Sequence, residues 1–219
     1  MPEWTAYQRR SRQVPRERTD MKRLATHDLG DGHFVSTCLL PEELWFSAAD
    51  FEALWQLRPA EFPEIFLHGR TVKLPRWQQT FGEDYHYSGK TMPALPVPEL
   101  LTPLVRWCQQ NIHDQLNALL LNWYDGALGH YIGAHRDSTK HMFEGAPIVT
   151  VSLGEERTFR LRPWRGKGTF DLPVPNHSVL VMPFETNRAW THEVPRFNRH
   201  QGKRISVTLR ALGTGLGDC

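Results

Sequence analysis

The stretch that decides the fold runs from residue 119 to residue 212 and is built of short apolar runs. The runs are LLLNWY (119–124), GHYIGAHRD (129–137), PIVTVSLG (147–154), RTFRLR (157–162), HSVLVMP (177–183), AWTHEVP (189–195) and RISVTLRAL (204–212). They are rich in β-forming residues and are separated by Gly, Pro and other turn residues. This pattern favours a sandwich or a double-sheet jelly roll over alternating βαβ units.

Upstream of this stretch the pattern is that of an α/β segment. The turn signal Gly30-Asp31-Gly32 precedes a short apolar run over residues 34–40. Apolar residues then recur at helical spacing from Leu44 to about Leu57, and again over about 99–119, so we predict two amphipathic helices. The residues between the two helices are irregular and rich in Gly, Pro, Tyr and Trp.

The charge is distributed unevenly along the 219 residues. The formal net charge is +2, but residues 1–23 alone carry seven Lys/Arg and three Asp/Glu. This tail is either a solvated segment or a basic arm that meets phosphate backbones. We therefore divide one compact domain into a basic tail (1–23), an N-terminal segment of helices and irregular chain (24–118) and a β core (119–213).

Composition and cysteine use limit the class of protein. With 40% hydrophobic and 11% aromatic residues, the chain is not disordered. Cys38, Cys108 and Cys219 are odd in number and far apart, so neither a disulfide framework nor a cysteine zinc site is expected. No apolar stretch is long enough to cross a membrane, and the start has no signal pattern. We expect a cytoplasmic protein, nuclear if the source is eukaryotic.

A metal site is indicated by two separate motifs in the β core. Residues two apart on a strand point to the same face, so His135 and Asp137 can bind one metal while Arg136 points away. His192, in the later run Thr191-His192-Glu193, supplies a second imidazole. Two imidazoles and one carboxylate suit a divalent iron that keeps open positions for substrate oxygens and dioxygen.

An anion site is indicated by the last strand-like run. On a strand, two arginines and two hydroxyl residues share one face: Arg204, Ser206, Thr208 and Arg210. Two arginines on one face of a half-buried strand are costly unless they meet anions, and guanidinium pairs naturally with carboxylate. A solvated edge strand would show the same sequence.

These motifs together resemble the AlkB family of iron(II)- and 2-oxoglutarate-dependent dioxygenases. The resemblance rests on the order Asn-x-Tyr (122–124), His-x-Asp (135–137), a later His and Arg-x-Ser-x-Thr-x-Arg (204–210), and covers roughly residues 60–212. It implies an α+β fold, in which a double-stranded β-helix (jelly-roll) core carries an N-terminal α/β extension that forms a nucleotide-recognition lid. It also implies oxidative demethylation of N-alkylated bases in DNA or RNA, with Fe(II), 2-oxoglutarate and dioxygen consumed to give succinate, CO2 and formaldehyde.

The resemblance assigns roles residue by residue. His135, Asp137 and His192 take the metal-ligand positions. Arg204 matches the residue that pairs with the distal carboxylate of 2-oxoglutarate, and Arg210 the arginine near the metal-binding Asp. The other co-substrate positions are Asn122, Tyr124, Ser206 and Thr208, where Ser206 replaces the usual Asn.

Substrate contacts are implied on the lid and beside the metal. Pro75-Arg76 and Tyr85-His86-Tyr87-Ser88-Gly89 resemble the family's nucleotide-recognition segment, whose aromatic residues hold an extruded base. The implied substrate contacts are Arg76, Tyr85, Tyr87, Arg136 and Thr139. Many family members have an acidic residue at the Thr139 position, and a hydroxyl offers no charge to a cationic base.

Three function classes are open on the sequence. The first is a monomeric enzyme that acts on alkylated nucleic acid, the second a hydroxylase of a small molecule or protein side chain that uses the same iron site. The third is a non-catalytic jelly-roll binding module. The stretch Arg157 to Lys167 holds five basic residues, and either a phosphate-binding hairpin or a solvated strand face would look like this.

Overall fold

The structure, a computed structural model, describes residues 24–67, 69–87 and 90–213, without the side chains of residues 65–67, 85–87 and 90–92. The basic tail of residues 1–23 lies outside the described residues.

The described chain consists mostly of β-strands. In chain order the strands are β1 (Ala25–Gly30), β2 (His33–Leu39), β3 (Glu64–Leu67), β4 (Arg70–Lys73), β5 (Trp77–Gly82), β6 (Tyr85–Tyr87), β7 (Lys90–Met92), β8 (Ala118–Asp125), β9 (Ile132–His135), β10 (Ile148–Gly154), β11 (Arg157–Pro163), β12 (Phe170–Val174), β13 (Ser178–Met182), β14 (Trp190–Val194) and β15 (Lys203–Arg210). The helices are α1 (Ala48–Gln56), α2 (Thr102–Asn111) and α3 (Phe184–Ala189). Two short 3-10 turns, Glu42–Leu44 and Glu99–Leu101, precede α1 and α2.

Two antiparallel sheets form the framework. The larger has the order β1-β2-β13-β10-β15-β8-β5 and the smaller the order β12-β11-β14-β9. Apolar residues of both sheets, such as Leu120, Leu180, Phe159 and Leu161, form one buried cluster, so the sheets pack face to face. The arrangement agrees with the expected jelly-roll core. Strand pairs β3–β4 and β6–β7 form separate two-stranded sheets.

The outer face of the large sheet is covered by α1 and α2. Leu54 and Trp55 of α1 and Cys108 of α2 share a second buried cluster with the alternate residues of the central strands. Trp123 of β8 donates its indole N–H to the carbonyl of Leu54, 2.9 Å away. Because both faces of the large sheet are covered, β15 is buried along nearly its whole length and is not a half-buried or edge strand.

The predicted helices are present but shorter than expected. The first begins at Ala48 because Ser47 caps it, and the Ser47 side chain and Asp50 form a capping box. The second was predicted over 99–119 but ends at Asn111. Its predicted end is wrong because residues from Ala118 onward pair with both β5 and β15, and this pairing overrides the helical spacing of the apolar residues.

Strands from both sides of residue 118 share the large sheet. The Gly30-Asp31-Gly32 signal forms the turn between β1 and β2, with positive φ at all three residues. Strand β2 pairs with β13, and β5 pairs with β8. The segment 24–118 therefore completes the framework as well as carrying the small β3–β4 and β6–β7 sheets. Within the described residues, each helix falls short of the length and apolarity that a membrane crossing requires.

Candidate metal and co-substrate site

His135, Asp137 and His192 meet at one end of the space between the sheets. His135 ends β9 and lies directly opposite His192 of β14 in the strand register. The Nε2 atoms of His135 and His192 lie 3.5 and 3.9 Å from Oδ1 of Asp137. Among the described residues this is the one group of three potential metal ligands, with all ligand atoms within 4.8 Å of one another.

The convergence of His135 and Asp137 has a different local cause from the one predicted. Strand β9 ends at His135, so Asp137 lies in the following loop and strand alternation does not place it. Instead, the Asn187 side chain holds the Asp137 backbone. Its Oδ1 accepts the Asp137 N–H at 3.0 Å, and its Nδ2 donates to the Asp137 carbonyl at 3.0 Å. Asn187 lies on α3 and is fully buried.

The electrostatics keep Asp137 and His192 in their metal-binding forms. Arg210 donates from Nε and Nη2 to Oδ2 of Asp137, at 3.1 and 2.5 Å, which leaves Oδ1 facing the imidazoles. Burial alone would raise the pKa of Asp137, but Arg210 and the two histidines outweigh it and hold this pKa well below its usual value. Burial, and next the neighbouring His135, lower the pKa of His192 to about 3. An ionised carboxylate and a neutral imidazole are the states that bind a divalent metal.

The imidazoles are oriented by contacts on their other sides. Nδ1 of His135 lies 2.9 Å from the carbonyl of Gly133. A carbonyl only accepts, so Nδ1 carries the proton and Nε2 is the free ligand atom. The His192 ring stacks on Phe159 of β11, with ring centroids 5.4 Å apart and planes 13° apart.

Arg204 lies in the same cavity as the triad and is 1% exposed. Its Nη2 donates to Oγ of Ser152 at 2.8 Å, and its guanidinium carbon lies 5.1 Å from the centre of the Tyr124 ring. Nε and Nη1 of Arg204 are buried and have no hydrogen-bond partner among the described residues. Buried guanidinium N–H groups without acceptors are costly, so this geometry fits an incoming carboxylate.

Strand register explains why the predicted co-substrate residues are neighbours. On adjacent strands Arg204 is opposite Tyr124, and Ser206 is opposite Asn122. Ser206 also faces Ser152 of β10. The side chains of Asn122, Tyr124, Arg204, Ser206 and Thr208 line a cavity of about 390 Å3 that also contains the His135–Asp137–His192 group.

Arg76, predicted as a substrate contact, lines this cavity. It is 7% exposed, and its Nε donates to Oδ1 of Asn122 at 2.8 Å. Its Nη2 donates to Oε1 of Gln78 at 3.1 Å. One of its contacts is therefore with a predicted co-substrate residue.

Arg136 and Thr139 lie beside a separate surface pocket of about 510 Å3 that adjoins the metal site. The Arg136 guanidinium carbon lies 4.0 Å from the centre of the Trp164 ring, and its Nη1 donates to the carbonyl of Arg188. Tyr85 and Tyr87 are two apart on β6, but their side chains lie outside the described residues. Ser88 and Gly89 also lie outside them.

The basic stretch from Arg157 to Lys167 is largely neutralised by its own neighbours. Arg160 forms two hydrogen bonds with Asp171, and Arg162 binds Glu193. Arg157 is 2% exposed and faces the space between the sheets. Two histidines outside the metal site, His130 and His177, are also buried.

Several residues of the site gave no sequence signal. Asn187 and Phe159 carry no motif: Phe159 lines the cavity, and Asn187 reaches the backbone of Asp137 through the packing of α3. Only the alternation of Arg157, Phe159 and Leu161 on β11, with the burial it implies, could have marked Phe159 as inward-facing.

Comparisons with known proteins agree with this geometry. A family model described as the 2OG-Fe(II) oxygenase superfamily matches residues 47–210. Human DNA oxidative demethylase ALKBH2 is 30% identical over 159 residues, which is 68% of this chain and 60% of that protein. The mouse protein of the same name is 31% identical over 161 residues, which is 68% of this chain and 66% of that protein. Rat alpha-ketoglutarate-dependent dioxygenase alkB homolog 3 is 28% identical over 189 residues, which is 80% of this chain and 63% of that protein.

The chain thus spans less than two thirds of the length of each of these relatives. Among solved structures, that of OsALKBH1 has a TM-score of 0.52 at 14% identity and covers 85% of this chain and 99% of that chain. At this identity the likeness concerns the fold.

Proposed function

Because the chain belongs to the 2OG-Fe(II) oxygenase superfamily, and within it to the AlkB family, we propose that it oxidatively removes N-alkyl groups from bases of DNA or RNA. The observation that carries the proposal is a single cavity with two ends. At one end His135, Asp137 and His192 converge, and at the other the buried Arg204 has N–H groups that meet no acceptor in the part of the chain that the structure describes.

The metal end fits Fe(II). His135 and His192 would bind it through imidazole nitrogens and Asp137 through Oδ1, the carboxylate oxygen that Arg210 leaves free. Three ligands on one face leave open positions for the co-substrate and dioxygen. When bound, iron and 2-oxoglutarate would supply the oxidation: one oxygen atom of dioxygen goes to the co-substrate, which becomes succinate and CO2, and the other to the carbon of an N-methyl group, which leaves as formaldehyde.

The chain's own residues bind and orient the reactants. Arg204, held by Ser152, would pair with the distal carboxylate of 2-oxoglutarate, with Tyr124 beside it. Asn122, fixed by Arg76, would contact the co-substrate closer to the metal. Arg210 forms an ion pair with Asp137 and keeps this carboxylate deprotonated, so that it stays available to the metal.

Water is excluded from the reacting centre by the apolar walls of the cavity. Leu120, Ile148, Leu180, Met182 and Val194 line it alongside the polar groups. In such an environment the few charged groups act strongly on one another, because little solvent screens them.

The two small two-stranded sheets and the surface pocket would hold the nucleic-acid substrate. The β3–β4 and β6–β7 sheets would form a nucleotide-recognition lid, with Tyr85 and Tyr87 stacking on an extruded base. Arg136 and Thr139 would contact the nucleotide from the adjoining surface pocket. Relatives named DNA oxidative demethylases support a nucleic-acid substrate.

We also propose that the chain works as a monomer in a reducing compartment, the cytoplasm or, in a eukaryotic cell, the nucleus. The described cysteines, Cys38 and Cys108, are free thiols, which fits such a compartment.

The test is a panel of DNA and RNA oligonucleotides that carry 1-methyladenine or 3-methylcytosine, single- and double-stranded, incubated with Fe(II), 2-oxoglutarate and dioxygen. Succinate release and the loss of the methyl group by mass spectrometry should appear together for at least one substrate. The Asp137→Ala variant should abolish both, because the metal loses its one carboxylate ligand. Succinate release that no oligonucleotide stimulates would instead favour hydroxylation of a small molecule or protein side chain.

A further inference from the structure

We propose that Arg157 is a positioning residue of the co-substrate site, which fixes the start of β15 so that Arg204 can receive the distal carboxylate of 2-oxoglutarate. The inference rests on the proposed function and adds to it a residue from the opposite sheet.

Arg157 is placed unlike the other basic residues of its strand. Arg160 and Arg162 face outward to acidic partners. Arg157 lies on the same face of β11 as Phe159 and Leu161, between the sheets, and is 2% exposed. A charged side chain is costly in such a position unless it is paired and hydrogen-bonded. Its contacts therefore indicate its role.

Those contacts hold the backbone directly before Arg204. Nη2 of Arg157 donates to the carbonyl of Gly202 at 3.1 Å and lies 3.0 Å from Oε2 of Glu155. Oε1 of Glu155 in turn accepts the N–H of Gln201 at 3.0 Å, and the Glu155 N–H donates to the carbonyl of Lys203 at 2.9 Å. The Arg157–Glu155 pair thus binds three consecutive residues that lead into Arg204.

The backbone at Gly202 is also held by close packing against the end of β8. The N–H of Gly126, the residue after β8, donates to the carbonyl of Gly202 at 2.9 Å. A Cβ at Gly126 would lie 2.6 Å from the His200 carbonyl oxygen and 2.7 Å from Nη2 of Arg157, too close for either. The absent side chain leaves the space that Arg157 occupies.

Arg157 also adds positive charge near the co-substrate site. Burial lowers the pKa of Arg204 most, Tyr124 opposes this, and Arg157 lowers it further, so the two guanidiniums act on each other. Nε of Arg157 is buried without a hydrogen-bond partner among the described residues. Two buried guanidiniums near Tyr124 favour a co-substrate with two negative charges. The free-energy cost of burying these guanidiniums is lower when that dianion is bound.

The test compares Arg157→Met with wild type by calorimetric titration. Mn(II) is titrated first without co-substrate, and 2-oxoglutarate is then titrated into the Mn(II)-loaded protein. We expect the Kd for 2-oxoglutarate to rise at least about fivefold, because the buried contacts that hold the backbone before Arg204 lose the Arg157 guanidinium. The Kd for Mn(II) should stay within about twofold, since Arg157 has no described contact with the ligands. A smaller rise for 2-oxoglutarate, or equal weakening of both, overturns the proposal.

Two further variants make the result specific. Arg160→Met removes a charge from the outward face of the same strand and should leave both Kd values unchanged. A rise in its Kd for 2-oxoglutarate as large as that of Arg157→Met would overturn a specific role of Arg157. If Arg157→Met does not fold by circular dichroism, Arg157→Lys keeps the charge but not the guanidinium whose Nη2 contacts both Gly202 and Glu155. It too should weaken 2-oxoglutarate binding, and wild-type affinity in it overturns the proposal. If wild-type protein binds neither Mn(II) nor 2-oxoglutarate, the proposed function itself fails.

Discussion

At the scale of single residues, the site depends on side chains whose hydrogen bonds are divided between two tasks. Arg210 occupies one oxygen of Asp137 and leaves the other for a metal. Arg204 uses one nitrogen on Ser152 and keeps two without partners among the described residues. The chain thus holds each group in place with part of its bonding capacity and leaves the rest for a ligand.

The first prediction concerns Arg204. Arg204→Met should raise the concentration of 2-oxoglutarate needed for half-maximal succinate release by at least about tenfold, because a charge-assisted pair is lost. It should leave Mn(II) affinity nearly unchanged. Steady-state kinetics over a range of 2-oxoglutarate concentrations measures the effect. An unchanged requirement would mean that the co-substrate carboxylate binds elsewhere.

The second prediction concerns Asn187, which touches no ligand but holds the backbone of Asp137. Asn187→Ala should weaken Mn(II) binding about tenfold, the lower end of the effect expected when a group that orients a metal ligand is removed. Asn176→Ala is the matched control, since the Asn176 amide accepts a backbone N–H from Gly154 in an exposed turn. Equal Mn(II) affinity in the two variants would contradict the assigned role.

At the scale of elements, the helices are shaped by their ends and by competition with the sheet. Helix α1 starts where Ser47 and Asp50 exchange hydrogen bonds, at 3.2 Å to Oγ of Ser47 and 2.9 Å to Oδ2 of Asp50. Helix α2 stops because the chain after it becomes a central strand of the large sheet. Local chemistry therefore determines the first boundary, and long-range pairing the second.

The third prediction tests the α1 cap. Ser47→Ala should lower the free energy of unfolding by about 1 kcal/mol, because the N–H of Asp50 loses its acceptor. For a domain of this size that corresponds to a fall in Tm of roughly 2–4 °C. Ser47→Thr keeps the hydroxyl and should recover most of the loss. Thermal unfolding followed by circular dichroism measures both, and equal Tm values for Ser47→Ala and wild type would exclude the cap as a source of stability.

At the scale of the whole molecule, two sheets of different size enclose one cavity, and residues from both reach into it. The small sheet supplies His135 and His192, and the large sheet supplies Arg204 and Arg210. Anything that separates the sheets separates the metal ligands from the co-substrate arginines. Two imidazoles outside the metal site, those of His130 and His177, are buried in the folded chain.

The fourth prediction concerns the pH dependence of stability without metal. Burial is the main cause that lowers the pKa of both His130 and His177 in the folded chain. Below about pH 6.5 the unfolded chain therefore binds more protons than the folded one, and stability falls as the pH decreases. The urea midpoint in EDTA should be lower at pH 5.5 than at pH 7.5.

The control for this prediction is His130→Asn, whose amide oxygen can accept the Asp125 N–H that Nδ1 of His130 accepts in wild type. The fall in midpoint should be smaller in this variant. A urea midpoint that is equal at the two pH values in wild type would contradict the prediction.

The sequence by itself determined the β-rich core, the turn at Gly30-Asp31-Gly32, the existence of two helices and the residue types of a two-histidine, one-carboxylate site. These follow from local spacing, because strand alternation, turn chemistry and helical periodicity act over a few residues. The tertiary structure decided which distant residues meet. It placed His192 opposite His135, Arg76 against Asn122, Asn187 on the backbone of Asp137 and Arg157 beneath the start of β15. Register between strands and packing between sheets set these contacts, and neither can be obtained from spacing along a single strand.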